Sequence, residues 1–267
     1  MSATNDVHVA AGDNWDSHWT EFGDANERNP AQHYRRLLAL FLLGRFGQPD
    51  RLLDIGSGNG ELLAAARRRW PLAHLSGLEL SSAGVAESVR KVPAARVRGC
   101  DLIRDPEPAA GEAGWATHAV CSEVLEHVDR PVTLLRNARS WLAPGCRVVV
   151  TVPGGPMSAF DRHIGHRRHF SPGDLGEVMR SAGLEVQMVA GAGFPFFNLY
   201  RTMVIVRGDK LVTDAAADTR GTPREKVMRA AMATFRPLLS SSLPRSALGW
   251  QTVGVAREPT ATIPRAA

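Results

Sequence analysis

A chain of 267 residues with 44% hydrophobic content has the composition of a globular protein, long enough for one large α/β domain or two small ones. Its three cysteines, Cys100, Cys121 and Cys146, are odd in number and lie in or beside strand-like runs, which excludes a disulfide framework or a C-x-x-C metal site and implies a reducing, cytoplasmic setting. The net charge of +5 admits an anionic partner, but the arginines are spread over many helices rather than gathered in one block, which argues against nucleic acid.

The amino terminus lacks a basic n-region and an apolar h-region, and no apolar run approaches the roughly 20 residues that span a bilayer. The expectation is a soluble, unexported protein. Residues 1–30 are polar, with Trp15, Trp19 and Phe22 as isolated aromatics, and read as an irregular arm with a short helix. Pro30 then opens a helix in which Tyr34, Leu37, Leu38, Phe41 and Leu42 repeat at helical spacing, predicting one core-facing side. Gly44, Gly47 and Pro49 end it.

Next comes a short apolar strand, RLLDI, then GSGNG, then the helical run ELLAAARRRW. Gly56, Gly58 and Gly60 let the backbone turn tightly and let a ligand approach the main chain, with Ser57 between them. The second strand, HLSGLEL, ends at Glu79 and Leu80, about twenty residues beyond the loop, where a bound nucleoside presents its ribose hydroxyls. The loop spells G-x-G-x-G and carries Asp54 just ahead of it. A carboxylate repels a pyrophosphate but suits a cationic amino-acid portion, so the loop favours S-adenosylmethionine over a dinucleotide. Asp101, after the strand VRGC, is suited to accepting from an adenine amino group or, alternatively, to a turn.

A proline- and glycine-rich loop over 104–115 leads into the strand ATHAVCS and the stretch SEVLEHV. Glu123, Glu126 and His127 are three and four residues apart, so in a helix they would stack on one face. That pattern is either a helix start whose acids complement the helix dipole or a set of ligands for a divalent metal. A helix follows, with Leu134, Leu135, Ala138, Trp141 and Leu142 on one side, and runs until Pro144 and Gly145; RVVVTVP is the fifth strand. Residues 153–170 read as a loop dense in His163, His166, His169 and arginine, before a helix capped by Ser171 and Pro172 and closed by Gly183. LEVQMVA is the sixth strand and GWQTVGVAREP its antiparallel partner. Between them, FPFFNLYRTMVIVRGDKLV and REKVMRAAMATFRPLL read as a lid or substrate wall, or as a helical pair patching the core, with surface docking as a lesser reading.

Alternating strands and helices predict an α/β doubly wound, Rossmann-like, mostly parallel seven-stranded sheet, with an antiparallel last strand and helices on both faces. The expected division is an arm over 1–30, a core over 31–193 and 249–258, an insertion over 194–248 and a tail over 259–267.

With LLDIGSGNGELL, LEL and SEVLEHV in hand, the chain resembles the class I S-adenosylmethionine-dependent methyltransferases. The resemblance implies that Asp54, Gly56, Ser57, Gly58 and Gly60 line the methionine portion, that Glu79 and Leu80 hold the ribose, that Asp101 and Leu102 meet the adenine, and that Ser122 borders the site. The E-x-x-E-H segment is similar to that of ubiquinone-biosynthesis O-methyltransferases and of small-RNA 3′-terminal 2′-O-methyltransferases. By the latter resemblance, Glu123, Glu126, His127 and His166 bind a divalent metal such as Mg²⁺ or Mn²⁺ that lowers the pKa of an acceptor hydroxyl. The reading is O-methylation of a small-molecule hydroxyl on a sugar, phenol or other specialised metabolite. Its alternatives are metal-free catalysis with His127 or His166 as base, an RNA-directed enzyme, and a non-catalytic cofactor-binding partner.

Overall fold

The computed structural model describes residues 15–16, 29–216 and 235–260, with side chains described except over 209–216. Most of the expected amino-terminal arm, most of the REKVMRAAMATFRPLL helix and the end of the tail lie outside the described residues. The elements in chain order are α1 (Pro30–Gly44), β1 (Arg51–Ile55), α2 (Glu61–Arg69), β2 (His74–Glu79), α3 (Ser82–Lys91), β3 (Arg96–Gly99) and β4 (Ala116–Ser122). There follow α4 (Pro131–Ala138), β5 (Leu142–Pro153), α5 (Ala159–His163), α6 (Pro172–Ser181), β6 (Glu185–Ala192), α7 (Phe196–Ala216) and β7 (Gln251–Arg257).

The strands form one seven-stranded sheet in the order β3-β2-β1-β4-β5-β7-β6. Only β7 runs against its neighbours, pairing antiparallel with β5 and β6. The sheet therefore has the expected doubly wound, Rossmann-like form. Its order reverses between β1 and β4, and at such a switch point the crossovers diverge and leave a crevice at the carboxyl ends of the strands.

Two apolar clusters hold the layers together. One joins α1 and α2 to one side of the sheet through residues such as Leu38, Leu43, Leu63 and Val149. The other joins α4 and α6 to the opposite side through Leu135, Trp141, Val150 and Leu175. Fully burying a leucine of this kind contributes roughly 1.5–3 kcal/mol, so each face anchors the sheet firmly.

Three local expectations are corrected. In α1 the buried face is Ala31, Tyr34, Arg35, Leu38, Ala39, Leu42 and Leu43, whereas Leu37 and Phe41 are exposed. The packed stripe is rotated because Arg35 turns inward. The segment 153–170 is not all loop: Ser158 and Asp161 form a reciprocal capping box that starts α5. The helix after Pro131 ends at Ala138 and passes through a 3-10 turn, Arg139–Trp141, into a β5 that begins at Leu142 and includes Pro144 and Gly145. Within the insertion Phe197, Tyr200 and Leu239 are buried in the first cluster, in keeping with the reading of a helical pair patching the core.

Candidate active site

The glycine loop leaves β1 with Gly56, Gly58 and Gly60 all at positive φ. At Gly56 the requirement is steric as well, because a Cβ would lie 2.5 Å from Val124 Cγ2. Main-chain hydrogen bonds from Gly56 and Ser57 to the Leu78 carbonyl tie the loop to β2. Gly60 opens α2 from a left-handed conformation and packs on Ser88. It lines neither of the two hollows at this edge, whereas Asp54, Gly56, Ser57 and Gly58 border the larger one.

Glu79 ends β2 facing the loop, with its Oε2 accepting from the Gly58 amide at 2.7 Å and its Oε1 from the Ser81 amide at 2.9 Å. Asp101 does the turn work foreseen as its alternative: Oδ1 accepts from the Ile103 and Arg104 amides. It nonetheless lines the smaller hollow with Glu79, Leu80 and Leu102. Trp15 lines both hollows and meets the His127 ring edge-on, 4.8 Å between centroids. Asp16 holds that piece of the arm in place, accepting at Oδ1 from the Ser81 and Ser82 hydroxyls and the Ala83 amide at the start of α3.

The stretch after β4 departs from the expected helical turn. Glu123 has φ +57, Val124 is not helical, and only Leu125–His127 form a 3-10 turn. The three side chains accordingly do not share one helical face. Glu123 turns toward α1 and β7: its Oε2 lies 2.9 Å from Arg35 Nε, and its Oε1 accepts from Gln251 at 2.7 Å and Thr151 at 3.1 Å. Ser122 shares a hydrogen bond with Thr151 and borders the larger hollow.

Glu126, His127 and His166 do come together, with one potential ligand atom from each within 4.8 Å of the others. Glu123 is outside that group. Glu126 is fully buried, and among the described residues neither carboxylate oxygen has a hydrogen-bond partner. Burial, reinforced by the Glu123 charge, pushes its pKa well above the usual carboxylate range. The histidines are held in defined tautomers. A carbonyl can only accept, so Gly165 O, 3.3 Å from His127 Nδ1, fixes a proton there, and the ring's Nε2 faces Glu126 Oε1 at 3.9 Å. Gly155 O does the same to His169 Nδ1, and the freed His169 Nε2 accepts from His166 Nδ1 at 3.4 Å. His166 thus keeps a basic Nε2. Its pKa falls to about 2, chiefly through burial and then through the neighbouring His127, so the imidazole stays neutral.

Sequence reasoning missed two pairs. Asp161 is buried against Arg201 in a bidentate ion pair with N–O distances of 3.0 and 2.7 Å, and Ser158 donates to it as well. His166 and His169 lean on this carboxylate at 3.9 and 3.7 Å. The other pair is Arg35 with Glu123. A charged residue in phase with the apolar stripe of α1 was the available signal. On the cofactor side Asp54 is also buried, with Oδ2 unpartnered; burial and then repulsion from Glu79 raise its pKa well above normal. Of the acids lining the larger hollow, Glu123 and Asp161 face arginines and Glu61 faces Lys91, while Asp54 Oδ2 and both Glu126 oxygens accept no hydrogen bond among the described residues.

A parallel sheet with a glycine turn after β1, an acid closing β2 and a crevice at the β1–β4 switch point defines a class I, S-adenosylmethionine-dependent methyltransferase. The chain matches the profile of a methyltransferase domain family over residues 26–189, and it belongs to that family. It is 29% identical over 174 residues to the ubiquinone biosynthesis O-methyltransferase of Marinobacter nauticus, covering 57% of this chain and 71% of the relative. It is 28% identical over 230 residues to the trans-aconitate 2-methyltransferase of Mycobacterium tuberculosis, covering 78% and 84% of the two chains. In fold it is similar to geranyl diphosphate C-methyltransferase from Streptomyces coelicolor in complex with Mg²⁺, geranyl diphosphate and S-adenosyl-L-homocysteine. The TM-score there is 0.53 and the identity 17%, over 85% of this chain and 78% of the other. Among the described residues, no helix is long and apolar enough to cross a membrane.

Proposed function

We propose that the protein transfers a methyl group from S-adenosylmethionine to a hydroxyl of a small molecule, and that Glu126, His127 and His166 hold a divalent metal beside the acceptor. The observation that carries this reading is the buried carboxylate of Glu126, without a hydrogen-bond partner among the described residues, beside two imidazoles whose Nδ1 atoms are engaged elsewhere, His127 by the Gly165 carbonyl and His166 by His169. Such outer bonds orient and strengthen ligating histidines. A set of one oxygen and two nitrogen donors suits Mn²⁺, Fe²⁺, Co²⁺ or Zn²⁺ and tolerates Mg²⁺. A bound metal would act as a Lewis acid that lowers the pKa of the acceptor hydroxyl.

The chain's own residues account for the remaining work. Asp54 receives the cationic amino-acid end of the cofactor, Glu79 its ribose hydroxyls, and the hollow between Leu80 and Leu102 its adenine, with Asp101, whose Oδ2 lies 3.8 Å from Arg104 Nε, accepting from the amino group. The acceptor oxygen attacks the methyl carbon, the S–CH₃ bonding pair returns to sulfur, and the hydroxyl proton passes to water. The fold positions the two reactants, which is most of what a substrate already carrying a sulfonium leaving group needs. Oxygen as acceptor is supported by the O-methyltransferase named among the relatives. Residues 31–193 and 249–258 form the catalytic core in this reading. The 194–248 insertion supplies a wall of the acceptor site, supported by Tyr200, Arg201 and Val204 lining the larger hollow.

The test is direct metal binding together with turnover. Protein stripped by chelation should take up Mn²⁺ in calorimetry, and Glu126→Gln or His166→Ala should weaken binding by at least about 100-fold, since even outer-shell changes cost about 10–100-fold. Methyl transfer that survives exhaustive chelation and is unchanged in Glu126→Gln would overturn the metal.

A further inference from the structure

Arg35 is an arginine with half of its guanidinium committed and half unspent. Its Nε edge is fixed by Glu123 Oε2 at 2.9 Å and by Gln251 Oε1, to which Nε donates at 2.9 Å. Gln251 is itself immobile, being fully buried and donating through Nε2 to both Glu123 and the Val152 carbonyl. The Arg35 side chain is 9% exposed, and its planar group lies over the Phe197 ring at 5.4 Å. Among the described residues neither terminal nitrogen has a hydrogen-bond partner, yet Arg35 lines the larger hollow. The two terminal nitrogens of a guanidinium form a fork that matches a carboxylate.

Arg35 shares its network with Glu123 and lines the larger hollow together with Glu126, His127 and His166. Asp54 and the glycine loop border the same hollow from the end of β1. We infer that the acceptor bears a carboxylate which the two terminal nitrogens of Arg35 bind in bidentate fashion, with the reacting hydroxyl of the same molecule turned toward Glu126 and His166. Glu123 and Gln251 are then positioning residues. They hold the fork open toward the hollow and offset part of the arginine's desolvation. The inference rests on the methyltransferase reading and narrows it to acidic acceptors.

The test uses matched acid and amide probes: 3,4-dihydroxybenzoate against 3,4-dihydroxybenzamide, glycolate against glycolamide, and octanoate against octanamide. Each is titrated calorimetrically with and without saturating S-adenosylhomocysteine. In the unaltered protein at least one acid should bind ten-fold or more tightly than its amide. Arg35→Gln should abolish the preference, and Arg35→Lys should keep part of it, while both retain S-adenosylhomocysteine affinity within two-fold. No acid preference in any pair overturns the inference, whatever the variants do. An acid preference that persists in a folded Arg35→Gln, or a loss of S-adenosylhomocysteine binding in that variant, also overturns it, the latter by assigning Arg35 to the cofactor's carboxylate. Failure of the unaltered protein to bind S-adenosylhomocysteine sinks the methyltransferase reading instead. The charge preference is measured independently of that result.

Discussion

Two buried acids, Asp54 and Glu126, face the crevice with oxygens that accept no hydrogen bond among the described residues, and Asp54 shows what that costs. Its carboxyl ionises at about 3.8 in an unfolded chain, and burial with Glu79 nearby raises it in the folded protein. A raised group favours folding below about pH 3.8, and the benefit is lost as pH rises through the folded value. Above that window the cofactor-free protein must either bury the charge or hold the proton at a free-energy cost. Asp54→Asn should therefore stabilise the cofactor-free protein at neutral pH by roughly 1–3 kcal/mol, with no gain in acid, while weakening cofactor binding. Melting temperature followed against pH, with a cofactor titration beside it, checks both halves. A variant less stable than the parent at neutral pH would show that Asp54 has a structural partner instead.

At the scale of elements, the same logic applies to the link between α5 and α7. Arg201 and Asp161 are both almost fully buried, and the pair braces the turn that carries His166. Removing one member leaves the other charged and unpaired, which costs about 3–5 kcal/mol. Arg201→Met should lower the urea midpoint accordingly, and adding Asp161→Asn should restore much of it; additive losses in the double mutant would count against the pairing. This link was not legible in the sequence, and the reason is physical. The seven strands and the helix packed by Leu134, Leu135 and Ala138 were legible because apolar periodicity reports burial against one large core. A five-residue helix has no period to read, and Ser158-x-x-Asp161 was its one written sign. Glu123 escaped for a related reason. Its side chain was expected on a helical face, but its φ of +57 sends it toward Arg35 instead. Arg35 itself could have been suspected from its place in the buried stripe. Its partners, 88 and 216 residues away at Glu123 and Gln251, could not.

For the whole molecule, the consequence is that the site is not the property of any one segment. The described piece of the arm supplies Trp15, α1 supplies Arg35, β1 and β2 supply Asp54 and Glu79, the turn after β4 supplies Glu126 and His127, the stretch after α5 supplies His166, and α7 supplies Tyr200. A ligand in the crevice bridges segments far apart in the chain, so its binding energy should appear as global stability. Ligand at one hundred times its dissociation constant stabilises the native state by about 2.7 kcal/mol, or about 5–10 °C in a domain of this size. S-adenosylhomocysteine should raise the melting temperature by that amount in the parent and by much less in Asp54→Asn, even though that variant starts higher. Amide hydrogen exchange should slow together in the glycine loop and in the first turns of α7 when S-adenosylhomocysteine is bound, because the larger hollow joins them. Equal thermal shifts in the two proteins would remove Asp54 from the cofactor site. Slowing confined to the glycine loop would mean that α7 packs beside the cofactor crevice without being coupled to it.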